Sequence, residues 1–312
     1  MPNSLTVVVP TYNPRLDHLE RVFNGLRVQD LPADSWDLLV VDNNSKPPLA
    51  PRIDVSWHPH ARVVAEPQPG KMHALSTAFR STTSSLILIL DDDTVPAPDL
   101  IRLTRQIADE FPVLGTWSTR VELELEDPAV VPPARLRALL AERLVEQPMW
   151  SNDLQHTPST AWGCGMTVRR SVADAYLRQT AGNPSRLQLD PVGDQPGYGG
   201  DTDLSYTGCS IGLGSGVFPQ LRITHLIPAR RCTTEYLLRN LEAHSFSHYV
   251  QHVVRYGTPP PSPDWGTNAR TWLRWLRGDA LDRAMIAAEK RAWRLAEKAV
   301  TTGRDSRPVT HR

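Results

Sequence analysis

The chain has 312 residues, of which 40% are hydrophobic, so it can form one large α/β domain with an appendage. Its 34 Lys and Arg residues balance 34 Asp and Glu residues, which argues against binding nucleic acid or an anionic membrane through bulk charge. The three cysteines have no metal-binding spacing, and neither a signal peptide nor a bilayer-spanning segment is recognisable. These features predict a soluble, cytoplasmic protein.

Strand and helix patterns alternate along the N-terminal part of the chain. The run "LTVVVP" at 5–10 is continuous, apolar and β-branched, which is typical of a strand buried on both faces of a parallel sheet. Alternation of this kind indicates βαβ units and a mostly parallel sheet. Strands are predicted at 5–10, at 36–45 with a polar turn at its end, at 61–67 and at 86–90, and helices at 14–29 and 71–82.

The pattern changes after residue 100. A Gly-rich turn in 161–177 leads into a strand and a helix, and strands are expected after about residue 210. A Pro-rich break at 258–266 separates the last helical segment from the rest. Helices are predicted at 99–111, 134–145, 201–209 and 233–257, with one further helix in the tail.

Polar clusters follow three of the predicted strands. They lie at 11–13, 42–45 and 91–93, each just past the carboxyl end of a strand. In parallel α/β sheets these ends meet at one edge, where ligands bind. The sequence therefore predicts a ligand site built from three separate segments.

The third cluster consists of Asp91, Asp92 and Asp93. Neighbouring carboxylates repel one another unless a cation joins them. Carboxylate oxygens with room for further ligands suit Mg²⁺ or Mn²⁺, which commonly share their coordination with phosphates. The alternative is an acidic turn that caps the next segment.

Several segments together resemble the family 2 glycosyltransferases, inverting enzymes of the GT-A fold. The matching stretches are "VVVPTYNP", "LLVVDNNS", "PGKMHALSTAFR", "ILILDDDTVPAPDL" and "GYGGDTDLSYTG" with the downstream "ITHLIP". The resemblance implies a Rossmann-like, mostly parallel sheet flanked by helices. It also implies a nucleotide-diphosphate sugar donor, most often a UDP-sugar, a hydroxyl acceptor, and Mn²⁺ or Mg²⁺ as cofactor.

The resemblance also assigns donor and metal residues. The aspartate at position 42 would contact the base, although it could instead stabilise an Asx turn. Lys71 would touch the diphosphate or ribose, unless it is only a solvated lysine of the first helical turn. Asp93, Asp91 and His225 would ligate the metal, although a lone His is often structural. The donor-binding residues implied are Pro10, Thr11, Tyr12, Asn13, Asp42, Gly70, Lys71, Asp91 and Asp92.

An inverting transfer needs a base that takes the proton of the acceptor hydroxyl. Asp201 occupies the position of the family's catalytic Asp, whereas Gly200 stands where a Glu commonly precedes it. Asp203 would be a second acid in the site or an early helical residue favoured by the helix dipole. The departure at Gly200 puts acceptor binding, rather than the base, in question.

Three further side chains are candidates for acceptor or diphosphate contacts. Arg230 and Arg231 would neutralise the leaving diphosphate, unless they are a surface basic pair. Trp162 would stack on an acceptor sugar, with core packing as the alternative. The "GLGSG" run lacks the flanking elements of a dinucleotide loop, and "TWLRW" lacks the Gln of the membrane-synthase motif, so neither is assigned a function.

The expected organisation follows from the extent of the resemblance. Residues 1–230 would form the GT-A domain, with a nucleotide-binding half at 1–110 and an acceptor half at 111–230. Residues 231–257 would be a helix on the core, and 258–312 a Pro-rich linker and helical tail. The tail carries Trp and Arg residues that suit contacts with a second copy or a membrane surface. Two alternatives to glycosyl transfer stay open: a nucleotidyltransferase and a non-catalytic sugar-nucleotide-binding scaffold.

Overall fold

The structure is a computed structural model that describes residues 4–154, 157–190, 198–262 and 265–302. The start of the glycine loop predicted at 197 and the end of the tail lie outside these residues. Nine strands form a single sheet, and eight α-helices pack on it or on one another within the described ranges.

The first four strands form the parallel part of the sheet, in the order β3-β2-β1-β4. Three helices connect and follow them, so the predicted alternation and the predicted α/β class are confirmed. The strands are β1 (Leu5–Thr11), β2 (Asp37–Asp42), β3 (Ala61–Ala65) and β4 (Leu86–Ile89), and the helices are α1 (Leu16–Arg27), α2 (Lys71–Ser81) and α3 (Leu100–Glu110).

Strands β1, β2 and β4 are buried on both faces, as their apolar runs predict, whereas β3 at the edge of the sheet is partly exposed. Along β1, Val7 and Val9 belong to the core on the side of α1 and α3. Val8, between them, belongs to the opposite core, which contains apolar side chains of α2. Alternate side chains of a strand point to opposite faces, so a run without polar residues fills both cores.

The second half of the sheet continues the order as β8-β6-β9-β5, with β7 also on β9. Most of these pairs are antiparallel, but β6 and β9 run parallel to each other. The elements are β5 (Thr94–Pro96), β6 (Leu114–Leu125), β7 (Met149–Ser151), β8 (Met166–Arg169), α4 (Arg170–Gly182), α5 (Gly200–Ser210) and β9 (Gly214–Ile227).

The prediction of an α-helix at 134–145 is wrong. Only a 3₁₀ helix forms, at Ala134–Leu140, and Ala141 ends it with φ of 60°. The backbone of Arg143 then exchanges two hydrogen bonds with Val121 of β6. Pairing with the sheet therefore takes the backbone groups that a longer helix would need.

Three helices end the described chain: α6 (Thr234–Tyr256), α7 (Trp265–Arg277) and α8 (Ala280–Thr302). The single tail helix that the sequence predicts is thus two helices, because Asp279 accepts a hydrogen bond from Asp282 N and begins a new helix after Gly278. Helices α6 and α8 share a small apolar core that contains Phe246, Tyr249, Ala292 and Ala296. No helix within the described ranges is long and apolar enough to cross a membrane.

Candidate active site

A cavity of about 1310 Å³ lies at the carboxyl edge of the parallel strands. It is lined by Thr11 at the end of β1, by the three aspartates after β4, and by Trp162. Its far side is formed by residues of α6, α7 and α8, which have no counterpart among the predicted site residues. The polar clusters after β1 and β4 thus meet, as the strand ends predict.

Each of the three aspartates has a different partner. Asp91 Oδ1 pairs with Lys71 Nζ at 2.5 Å, and Asp92 Oδ2 accepts a hydrogen bond from Thr11 Oγ1 at 2.5 Å. Asp93 Oδ2 lies 3.1 Å from the guanidinium of Arg231 and 3.4 Å from His225 Nε2. Burial and the adjacent charge of Asp93 raise the pKa of Asp92 to about 7.

Strand β5 brings Asp93 and His225 together. It pairs antiparallel with β9, with Thr94 opposite His225, and Leu226 N donates to the carbonyl of Asp93. Burial opposes ionisation of Asp93, but His225 and Arg231 hold the pKa of its carboxyl well below the usual range. Burial likewise opposes protonation of His225, but Asp93 raises the pKa of the imidazole. This three-residue strand was not predicted from the sequence.

The donor set here fits a hard divalent cation. His225 Nδ1 lies 2.8 Å from the carbonyl of Leu140, so the neutral ring donates from Nδ1 and presents the lone pair of Nε2 beside Asp93. Among the described residues, no three His, Cys, Asp or Glu side chains already form a complete metal site. Mg²⁺ and Mn²⁺ need few protein ligands where a substrate diphosphate supplies others.

Lys71 lies close to acidic side chains from three segments of the cavity wall. It is the first residue of α2, and it follows Gly70, whose φ of 126° favours glycine. Burial opposes its charge, but Asp91, Asp190 and Asp201 raise the pKa of the ammonium group above its ordinary value. Gly70 N donates to Asn43 Oδ1 at 2.7 Å, which fixes the turn that positions Lys71.

Two predicted donor residues do not line the cavity. Both oxygens of Asp42 accept backbone hydrogen bonds, from Ser45 N at 3.0 Å and Leu49 N at 2.8 Å. Asp42 therefore stabilises the loop after β2, as an Asx-type residue does. Asn13 has φ of 46° and accepts from Lys46 N, so it joins the loops after β1 and β2. Asn43 lines the cavity in this region and was not singled out from the sequence.

Asp201, in the first turn of α5, lines the same cavity as the three aspartates. Its Oδ2 accepts from Gly163 N and its Oδ1 from Thr202 N, both at 2.7 Å. Trp162 precedes that glycine, and the Arg143 guanidinium lies 4.4 Å from the centre of its ring. The Gly-rich turn predicted near the acceptor thus orients the candidate base directly.

Asp190 is a cavity residue that the sequence did not reveal. Its Oδ1 accepts from Gly199 N at 3.2 Å and from Gly200 N at 2.8 Å, at the start of α5. A Cβ on Gly200 would lie 2.6 Å from Asp190 Oδ2 and 2.4 Å from Met72 Sδ. Asp190 therefore places a carboxylate beside the position where the family resemblance expects Glu. No motif marks it, since it lies ten residues away in the chain.

Two other candidates lie outside the cavity. Asp203 is buried and forms an ion pair with Arg186 at 2.7 Å, on the side of α5 that faces the core. Of the two roles predicted for Asp203, this position fits an early helical residue. It does not fit a second acid of the site, because Asp203 does not line the cavity. Arg230 is exposed in a 3₁₀ turn, whereas its neighbour Arg231 lines the cavity.

The C-terminal helices form the remaining wall. The ring of His244 stacks on Tyr198 with centroids 3.9 Å apart, and Gln251 Nε2 donates to the carbonyl of Gly199 at 3.0 Å. These contacts join α6 to the loop that begins α5. Helix α8 contributes the side chains Glu289, Lys290, Trp293 and Arg294 to the same cavity.

Comparison with known proteins agrees with this arrangement. A mannosyltransferase from Pyrobaculum calidifontis, in complex with GDP-Man and Mn²⁺, superposes with a TM-score of 0.57 at 24% identity, over 97% of this chain and 80% of that one. S. aureus TarS 1-349 in complex with UDP-GlcNAc superposes with a TM-score of 0.50 at 12% identity, over 99% of both chains. These similarities show a shared GT-A fold. No curated protein sequence matches the chain.

The sequence itself matches a family model. The match to "Glycosyl transferase family 2" covers residues 6–177, which is more than half of the chain. It includes the strand-end loops after β1 and β4, the first turn of α2 and the Gly-rich turn at Trp162. The chain therefore belongs to glycosyl transferase family 2 and is a glycosyltransferase.

Proposed function

We propose that this glycosyltransferase is metal-dependent and inverting, and that it moves a sugar from a nucleotide diphosphate to an acceptor hydroxyl. The observation that carries the proposal is that Asp93, His225 and Asp201 line one cavity, in which Asp93 and His225 are paired. The nucleotide sugars and the Mn²⁺ bound to the structural neighbours support a donor of this class. A UDP-sugar is the first donor to test.

The donor would lie over the ends of β1 and β4. Pro10, Thr11 and Tyr12 line this part of the cavity and would contact the nucleotide. Asp93, Asp91 and His225 would hold Mg²⁺ or Mn²⁺, which supplies Lewis-acid stabilisation of the leaving diphosphate when bound. Lys71 and Arg231 add two positive charges of the chain itself on this side.

Asp201 would take the proton of the acceptor hydroxyl. Backbone N–H groups at Gly163 and Thr202 fix its carboxylate, and the cavity in front of it is open to an acceptor. Attack by the activated oxygen on the anomeric carbon, opposite the leaving diphosphate, forms the new glycosidic bond as the old one breaks. One displacement without a covalent enzyme intermediate inverts the anomeric centre.

Asp190 would position the base and the acceptor. It holds the first turn of α5, where Asp201 lies, and adds a carboxylate to the same wall. Burial and the charge of Asp201 raise the pKa of Asp190 to about 6. We further propose that Trp162 and the cavity residues of α6–α8 form the acceptor side. Residues 1–230 would form the GT-A domain, 231–257 the helix on the core, and 258–312 the linker and helical tail.

The test compares nucleotide binding with turnover in matched aspartate variants. UDP, GDP or dTDP at 100 times its Kd should stabilise the wild type by about 2.7 kcal/mol, seen as a higher Tm. Asp93→Ala should reduce this shift and its dependence on Mn²⁺ together. Asp201→Asn should keep the shift but lower turnover by about 10²–10⁴-fold, the contribution of a general base.

Three outcomes contradict parts of this proposal. Equal turnover in Asp201→Asn removes that residue as the base. Unchanged Mn²⁺-dependent binding in Asp93→Ala contradicts the metal assignment. Nucleotide binding without turnover on any donor, insensitive to Asp201→Asn, favours a scaffold. The fold control is Asp203→Asn, which should lower stability while keeping turnover, because Asp203 does not line the cavity.

A further inference from the structure

Helix α7 carries large apolar side chains on its solvent side. Trp272, Trp275 and Leu276 are 60%, 48% and 47% exposed, and Leu273 beside them is 40% exposed. The first three are spaced i, i+3 and i+4, so they share one side of the helix. An amphipathic helix normally turns such a side towards the core. Here no part of the chain that the structure describes covers it, which marks an interaction surface.

All the charged side chains of α7 are basic. Arg270, Arg274 and Arg277 are its only ionisable residues, and Arg270 and Arg277 lie three residues before and four residues after Leu273, so they border the apolar side chains. Residues 265–302 contain eight Lys or Arg and four Asp or Glu, whereas the whole chain has equal numbers. The positive excess is therefore local to the tail and is hidden in the overall charge balance.

The other sides of α7 fix this orientation. Arg274 pairs with Asp282 at 3.1 Å and so joins α7 to the start of α8. Thr267, Asn268 and Thr271 line the cavity. One short helix thus contacts α8, lines the proposed acceptor side of the active site, and presents its apolar side chains to solvent.

We propose that α7 docks on an anionic lipid surface. Trp and Leu side chains would enter the interface between headgroups and acyl chains, and the flanking arginines would reach the lipid phosphates. A second copy of the chain fits less well, because a twofold contact through this side would bring the arginines of both copies together. The nearby acids Asp279 and Asp282 already pair with Arg135 or Arg274.

Docking also bears on the acceptor class, a step that rests on the proposed function. The helix that would lie on the lipid also lines the cavity, so a hydroxyl acceptor presented at a membrane surface would reach Asp201 without leaving the lipid. Vesicle binding tests the docking alone, and nucleotide-dependent stabilisation tests the donor site alone. Failure of one is therefore distinguishable from failure of the other.

The experiment is co-sedimentation of the full chain with phosphatidylcholine vesicles, with and without phosphatidylglycerol. We expect at least about tenfold tighter binding to the anionic vesicles, weakened by salt. The variant Trp272→Ser/Trp275→Ser/Leu276→Ser should lose this binding. Arg270→Gln/Arg277→Gln should weaken it at least about tenfold, at about 1 kcal/mol per basic residue. Both should keep the nucleotide-dependent rise in Tm.

The matched control is Val28→Ser/Val113→Ser, which removes two exposed apolar side chains elsewhere on the surface. It should bind anionic vesicles like the wild type. Absence of binding to anionic vesicles, or equal binding to neutral ones, overturns the proposal. So does a dimer, measured by sedimentation velocity, that the triple variant abolishes.

Discussion

At the scale of single residues, the carboxylate of Asp190 has two roles that variants can separate. Its oxygen accepts the N–H groups of Gly199 and Gly200, and its charge faces Lys71 and Asp201. Asn at this position keeps an acceptor oxygen but lacks the charge, whereas Ala lacks both. The pair Asp190→Asn and Asp190→Ala therefore distinguishes structural capping from an electrostatic role in the site.

We expect both Asp190 variants to lower turnover by about 10²-fold, because an acid at this wall supports acceptor activation. Only Asp190→Ala should also lower the free energy of unfolding, by about 1–3 kcal/mol, since it leaves buried N–H groups without an acceptor. The measurements are kcat, KM for the acceptor, and urea unfolding. Wild-type turnover in Asp190→Asn would leave Asp190 with a structural role only.

The pH dependence of stability gives a second test of Asp190. Its pKa is about 6 in the folded protein against an ordinary value of 3.8. A carboxyl with a raised pKa favours the folded state at low pH, and that contribution is lost as the pH rises from about 4 to above 6. The loss is about 3 kcal/mol at most, at 1.36 kcal/mol per pKa unit.

Asn does not titrate, so Asp190→Asn should gain stability relative to the wild type as the pH rises through this window. Urea unfolding of both proteins at several pH values between 4 and 8 measures the difference. Parallel curves for the two proteins would show that ionisation of Asp190 does not oppose folding.

At the scale of elements, α8 depends on close packing against α6. Ala292 and Ala296 are fully buried beside Phe246 and Tyr249, so there is no room for a larger side chain. We expect Ala292→Leu to lower the free energy of unfolding by about 1–3 kcal/mol through overpacking. Ala287 is exposed on the same helix, so Ala287→Leu is the matched control and should change stability little. Equal effects of the two variants would contradict this packing.

The strands and helices also show which sequence patterns predict secondary structure correctly. Strands β1, β2 and β4 each contain a continuous apolar run, at 7–10, 38–41 and 86–89, and burial on both faces requires that composition whatever surrounds them. The pattern at 134–145 fails because Val121 competes for the backbone of Arg143. Strand β5 is three residues long, too short for any periodicity, and exists only because β9 lies beside it.

At the scale of the whole molecule, the cavity joins the N-terminal sheet to the C-terminal helices. Lys290 and Arg294 of α8 line it, whereas Arg291 between them pairs with Glu242 of α6. We expect Lys290→Ala and Arg294→Ala to raise KM for the acceptor about tenfold, the contribution of one charged hydrogen bond. Nucleotide-dependent stabilisation should not change. Arg291→Ala is the control, and an equal rise in KM there would contradict the assignment.

The sequence by itself determined the fold class and the alternation of strands and helices, and it singled out Thr11, Asp91, Asp93 and Asp201, which line one cavity. Each of these follows from local patterns or short motifs. Only the tertiary structure decided that Asp42 supports a loop and that Asp203 pairs in the core. It also placed Asp190 beside Gly200 and side chains of α8 in the cavity that Asp93 lines. The contacts of Asp42 are local, but the sequence leaves both of its roles open, and only the folded loop selects one. The other contacts join different segments of the chain or depend on which side of a helix faces the core, and packing sets both.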